Sequence, residues 1–285
     1  MILITKNIKN KKYYYLKYSF RKGSKIITKE MYLGVKIPED IEKIKEDFIQ
    51  DLKTELNKRL ESIRNNFQLE WKRIPESARK KELEEISIAF TYNTNAIEGS
   101  TITLEETREL LHNKISPNKP IRDVKETEEH SEVFLKMLQK KERITNELLL
   151  EWHKDIFAQT KDDISGRFRE HLVRVGSYLA PDWQDVKKMM NELVEFIGNN
   201  KNMNPVELSA RLHYKFEKIH PFSDGNGRIG RLLMNYILWW DGYPMLIIEK
   251  VKRKQYYKAL TKDEEGFVNY FIRKYLREHN KRIKE

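Results

Sequence analysis

Twelve consecutive residues, His220 to Arg231, read HPFSDGNGRIGR and hold one imidazole, one carboxylate, three glycines and two guanidinium groups. A glycine-rich turn entering a helix presents free backbone N–H groups at the positive end of the helix dipole, an arrangement that binds phosphate. Gly225 and Gly227 would let the main chain approach an anion closely, and Asn226 would add a side-chain donor. Arg228 and Arg231 are three apart and so leave one side of the first helical turn. Two guanidinium forks there suit a polyphosphate better than a single carboxylate. Asp224 is the hard oxygen ligand that Mg²⁺ uses when substrate phosphates supply most of its shell. His220 is the residue type that takes a proton from a hydroxyl near neutral pH. A base, a metal ligand and a phosphate cradle in this order describe nucleotide-dependent transfer to an alcohol. Two other loops are excluded by their own rules. An EF-hand would not place Arg228 at a ligand position or Asn235 at the closing glutamate, and a P-loop needs a Gly-Lys-Ser/Thr ending.

The segment resembles the signature of the Fic family of nucleotidyl transferases, H-x-F-x-D/E-G-N-G-R-x-x-R, at every specified position. LLMNYILWWDGYPMLIIEK and QYYKAL resemble the region that follows this motif in the family, and GRFREHLVRVG resembles the hairpin, or flap, that precedes it. The likeness covers roughly residues 85–275 and leaves residues 1–70 outside it. The resemblance implies a role for each matched residue. His220 would deprotonate a Ser, Thr or Tyr hydroxyl of a target protein, which attacks the α-phosphate of ATP. Asp224 would hold Mg²⁺, and Gly225, Asn226 and Gly227 would form the anion hole. Arg228 would steady the α- and β-phosphates and Arg231 would receive the γ-phosphate. Phe222 would anchor the loop in the core, and Tyr257 resembles a tyrosine lining the nucleoside pocket. The flap edge at Val173 and Val175 would pair with an extended target segment. Alternating valines are also what any core-facing hairpin shows.

A second motif, Thr94-Asn-Ala-Ile-Glu98-Gly99, is similar to the family's inhibitory pattern S/T-x-x-x-E-G/N. On that resemblance Glu98, at the end of a helix over about 82–98, pairs with Arg231 and occupies the place of the γ-phosphate. ATP then binds only in a pose that misaligns its α-phosphate. The motif lies upstream in the same chain, which implies self-inhibition. In some relatives the same glutamate positions water to remove AMP, which would give Glu98 a part in de-AMPylation too.

The rest of the chain must position these residues. The 285 residues contain no cysteine, which excludes disulfides, thiolate metal sites and cysteine nucleophiles. The start lacks the apolar core and cleavage site of a secretory signal. LLMNYILWW is too short to span a bilayer and reads as a buried helix. A cytoplasmic protein with no membrane partner is expected. Residues 1–36 hold ten Lys and Arg against Glu30 alone, a charge of +9 out of a total of +11. KKYYYLKYSF and KIITKEMYLG, joined by a turn at Arg21–Ser24, predict a small antiparallel sheet. Basic residues interleaved with Tyr13, Tyr14, Tyr15 and Tyr18 suit nucleic acid as well as a plain solvated sheet. Apolar residues spaced three and four apart from Ile41 to Phe67 predict one amphipathic helix within 37–80. That helix reads as a spacer, a dimerisation element making a homodimer, or the first helix of the main fold. Thr103–Glu106 has capping-box form, helices are expected near 122–140, 145–159 and 183–198, and Gly166–Gly176 reads as a hairpin. Asn204-Pro-Val-Glu207 opens a helix that ends at His220, and the next runs from about Gly227 to Trp240. The expected fold is mainly α: a Fic-type helical bundle over 81–285 with a short β-hairpin flap, preceded by a basic β module (1–36) and a linker helix (37–80).

Overall fold

The computed structural model describes residues 2–22 and 25–283. The chain divides into two compact units, residues 1–62 with the last three residues, and residues 63–282.

The first unit opens with three antiparallel strands in the order β1–β2–β3, covering Ile2–Ile8, Lys11–Lys22 and Lys25–Gly34. β1 is absent from the expectation above. Its hairpin turn is Lys9-Asn10, with both residues at positive φ, and it lacks the glycine that usually marks such a turn. The Gly23–Ser24 part of the expected turn lies outside the described residues. Tyr13, Tyr15 and Tyr32 occupy neighbouring positions across β2 and β3 and pack on each other, at 6.2 Å and 5.3 Å between rings. Lys6 and Lys29 pair with Glu30 and Glu55. Leu16 of β2 is fully buried, and Phe48 is buried on helix α1 (Ile41–Arg73).

The second unit is helical. α1 stops at Arg73 because Pro75 offers no N–H to extend it, and Pro75 instead leads into α2 (Glu76–Ile97). The expected linker helix is therefore broken before residue 80. α3 (Leu104–Asn113) opens on a complete capping box between Thr103 and Glu106. Three further helices follow: α4 (Ile121–Gln139), α5 (Asn146–Phe157) and α6 (Trp183–Asn199). Asn204 caps α7 (Pro205–Ile219) through its side chain, whereas Glu207 turns to Arg211 and takes no part in the cap. α8 (Asn226–Trp240) has every residue from Asn226 to Leu238 buried except Gly227, and it forms the axis around which α2, α4, α5 and α7 pack. Such burial on all sides explains why LLMNYILWW is apolar without a polar face. α9 (Arg253–Leu260) and α10 (Glu264–Glu278) close the unit. Among the described residues no helix is long and apolar enough to cross a membrane.

Candidate active site

The site forms where α7 ends and α8 begins. His220 caps α7 in the left-handed region, with φ of 50°, and its N–H donates to Phe216 O at 2.9 Å. Its carbonyl is gripped from outside the motif. Arg169, 2% exposed, donates from Nε to His220 O at 2.8 Å, from Nη1 to His171 O at 2.8 Å and from Nη2 to Pro181 O at 2.6 Å. Burial lowers the His220 pKa, so the imidazole is neutral and free to accept a proton at pH 7.

Phe222 is fully buried and stacks on His153 of α5 at 3.9 Å and 7°. Gly166 N–H donates to His153 Nδ1 at 3.0 Å, which leaves Nε2–H to donate to Asp224 O at 3.1 Å. Burial holds that imidazole down at about 4, so it stays neutral. The Asn226 amide, expected to face an anion, is committed to the loop instead. It accepts from Phe222 N–H and donates to Phe222 O, both at 2.8 Å. Its main-chain N–H at the start of α8 remains for a ligand.

Gly225 has φ of 80°, and a Cβ there would overlap the Phe157 ring. Gly225→Ala therefore combines left-handed strain with a steric clash, and should destabilise the helical unit by about 2–4 kcal/mol. At Gly99, φ is 102° but nothing lies within 4 Å of a Cβ, so Gly99→Ala should cost only about 1 kcal/mol. Urea melts of the two variants measure the difference, and equal losses would show that the Phe157 contact is unimportant.

Arg228 and Arg231 diverge into two separate surroundings. Arg228 is buried, pairs with Glu126 of α4, and lies over the Phe157 ring at 4.4 Å. Lys161, in the turn after α5, bridges Glu126 Oε1 at 2.8 Å and Asp224 Oδ2 at 2.7 Å. Burial alone would raise the Asp224 pKa, but Arg228 and Lys161 override it and hold the carboxyl down at about 2. Asp224 is half exposed, with Oδ1 accepting from Gly225 N–H at 2.6 Å. Among the described residues no three His, Asp or Glu side chains converge as a metal cage. A single exposed carboxylate fits a Mg²⁺ ion whose other ligands are phosphate and water.

Arg231, 1% exposed, points to the end of α2. Nε donates to Thr94 Oγ1 at 2.6 Å, and Nη2 donates to Thr94 O at 3.1 Å and Glu98 Oε1 at 2.6 Å. Gly227 makes room for this, because a Cβ there would overlap Glu98 Oε1. The Glu98 carboxylate thus rests on the first turn of α8, where an anion is favoured. The Tyr257 hydroxyl is 3.5 Å from Ile97 O, and burial, with Glu98 adding to it, raises its pKa to about 12. Its neighbour Tyr256 is fully buried and bonds to His213 Nε2 at 2.7 Å.

Residues 143–238, from before α5 through most of α8, match the model of the Fic/DOC family. The chain carries a Fic domain. It is similar to the protein adenylyltransferase Fic of Nematostella vectensis, 36% identical over 207 residues, which are 68% of this chain and 47% of that protein. The relative in Culex quinquefasciatus is 34% identical over 206 residues, 68% of this chain and 40% of that protein. The matched region therefore spans less than half the length of these curated relatives. A Fic domain containing signaling protein from Bacteroides thetaiotaomicron has a similar structure, with a TM-score of 0.68 at 26% identity over 78% of this chain and 97% of that one. Fic-1 from C. elegans gives 0.68 at 26% identity over 83% and 73%. The comparisons lend the nucleic-acid reading of the N-terminal sheet no support.

The flap of this Fic domain is shorter and later than Gly166–Gly176. Its strands are β4 (Arg174–Val175) and β5 (Tyr178–Leu179), turning at Gly176. Residues 166–173 form no strand because Arg169 N–H bonds to Pro221 O at 2.9 Å and Phe168 packs near Phe222, so this stretch lines the motif loop. Val173 lies outside the strands, although its carbonyl accepts from Ala180 N–H at 3.0 Å. Val175, Leu172 and Leu179 are exposed apolar residues along the flap. Tyr178 ties it to α7 by donating to Lys218 O at 2.7 Å. Arg169, His153, Glu126 and Lys161 are site residues that the motif reading did not name. Arg169 was in view as part of GRFREHLVRVG, but nothing in an alternating pattern marks an inward-facing arginine.

Proposed function

We propose that the Fic domain transfers AMP from Mg·ATP to hydroxyl groups of proteins, itself included, and that Glu98 restrains the reaction. The observation that supports this most is the junction of α7 and α8, where a neutral, partly buried imidazole, an exposed carboxylate and a helix N-terminus lie together. The target oxygen forms a bond to the α-phosphorus while its proton passes to His220 Nε2. The bond from that phosphorus to the bridging oxygen breaks, and pyrophosphate leaves. Asp224 is the residue that would hold Mg²⁺, which neutralises phosphate charge when bound. The main-chain N–H groups of α8 receive the α-phosphate and Arg228 its neighbours. The exposed edge at Val175 and Leu179 is suited to an extended target segment.

The position of a radiolabel tests the reaction. Glu98→Gly protein incubated with Mg·ATP should incorporate label from the α-phosphate and none from the γ-phosphate, and adding His220→Ala should abolish incorporation. Label from the γ-phosphate would mean phosphorylation, and label that survives His220→Ala would remove the base from the mechanism. Activity should also fall as pH drops through the lowered His220 pKa, since the protonated ring accepts nothing.

A further inference from the structure

Two buried polar atoms beside the base have no hydrogen-bond partner, His220 Nδ1 and Glu217 Oε1. Glu217 sits three residues earlier on the last turn of α7, and its Oε2 is 4.0 Å from Nδ1. The left-handed backbone of His220, which non-glycine residues seldom adopt, places the ring beside that turn.

Among the described residues no Lys or Arg forms an ion pair with Glu217. His213 Nε2, on the same helix, is 3.8 Å away but bonded to the Tyr256 hydroxyl of α9. From α8, Gly230 faces the carboxylate, and a Cβ there would come within 3.2 Å of Oε1. Arg231 and Lys218 attract Glu217, Glu98 repels it and the Tyr256 hydroxyl hydrogen-bonds to it, while Arg231 itself donates to Thr94 and Glu98. A buried carboxylate costs several kcal/mol unless a cation comes to it. Burial accordingly pushes Glu217 up to about 7, against the pull of Arg231. The cation that turnover creates beside it is the imidazolium of His220.

Building on the adenylyl-transfer reading above, we propose that Glu217 is the positioning residue for His220. Its carboxylate accepts the Nδ1–H, which fixes the tautomer with Nε2 open to the target hydroxyl. It then stabilises the imidazolium formed when Nε2 takes the proton. A side-chain rotation closes the 4.0 Å gap, with Gly230 leaving the room for it, and hydrogen bonds of this kind are often long before substrate arrives.

The test reads the imidazole directly and the reaction separately. Nitrogen NMR of the full chain, with histidine labelled and His220 assigned by loss of its signal in His220→Ala, reports tautomer and titration midpoint. The other groups facing His220 are the Glu217 main-chain carbonyl, Arg169, Glu98 and Asp224, and each is the same in the two members of every pair compared. Glu217→Gln keeps an acceptor for Nδ1–H but loses the charge, so the tautomer should persist while the midpoint falls. Glu217→Val should also release the tautomer. In the Glu98→Gly background, Glu217→Gln should lower kcat at least about tenfold with KM for ATP within about twofold. Unchanged tautomer and midpoint in both Glu217 variants would overturn the proposal. If the NMR changes appear but no AMP is transferred even with Glu217 intact, the positioning role stands and the adenylyl-transfer reading fails.

Discussion

Glu98→Gly should raise AMP incorporation by roughly 30- to 150-fold over the unmodified chain. Arg231 is fully buried, and among the described residues its guanidinium pairs with one carboxylate, Glu98, at 2.6 Å. Breaking a buried pair removes about 3–5 kcal/mol of interaction, and the 30% exposure of Glu98 reduces this to about 2–3 kcal/mol. At about 1.4 kcal/mol per decade, that range gives the stated rate. The geometry behind this expectation is one of overlap. The Glu98 carboxylate rests on Gly227, at the same end of α8 that would receive phosphate. An anionic side chain and an anionic nucleotide cannot share that place. Glycine at 98 meets no backbone obstacle, because φ is −84°. The variant leaves Arg231 held by Thr94 without the Glu98 carboxylate, so it should melt at lower temperature without nucleotide and recover more on adding Mg·ATP than the unmodified chain does. Equal incorporation in the two proteins would remove Glu98 as the restraint.

Much of this site was legible because its chemistry is contiguous. From His220 to Arg231 the residues meet because they are neighbours in the chain, and the Thr94–Gly99 pattern adds the partner of Arg231. What was not legible depends on chain segments that meet only after folding. Lys161 and Glu126 are common surface residue types, and nothing in their neighbourhoods shows that α4 and the turn after α5 bring them to Asp224 and Arg228. His153 is one histidine on an amphipathic helix, and its function as a strut exists only because Phe222 stacks on it. The flap strands begin later than the pattern predicts for a related reason. In GRFREHLVRVG only Arg169 is buried and Glu170, His171 and Leu172 are all exposed, so the alternation of residue types is not an alternation of burial and the stretch lies on the motif loop through Phe168 and Arg169. β1 escaped notice because its turn uses Lys9-Asn10 at positive φ, where asparagine is tolerated and lysine is unusual.

Arg169→Ala should lower the stability of the helical unit by about 3–5 kcal/mol. The guanidinium reaches four main-chain carbonyls, those of His220, His171, Pro181 and, at 3.4 Å, Ile219. Alanine would leave four acceptors in a cavity, each costing about 1–3 kcal/mol if dry, with entering water recovering part of the loss. For a unit of this size the melting temperature should fall by roughly 6–20 °C. The effect on catalysis should exceed the effect on the fold. Arg169 joins the end of α7, the stretch before the flap and the stretch after it, so it sets where His220 stands relative to the flap. Arg169→Lys offers three donors from one point, which cannot span carbonyls spread around a planar fork, and it should rescue part of the stability while leaving AMP transfer low. In the Glu98→Gly background the two readouts separate the roles. A lysine variant that regains stability and full transfer would make Arg169 a structural strut alone. Regained stability with transfer still depressed would mean that the fork orientation, and through it the angle of the base, limits the reaction.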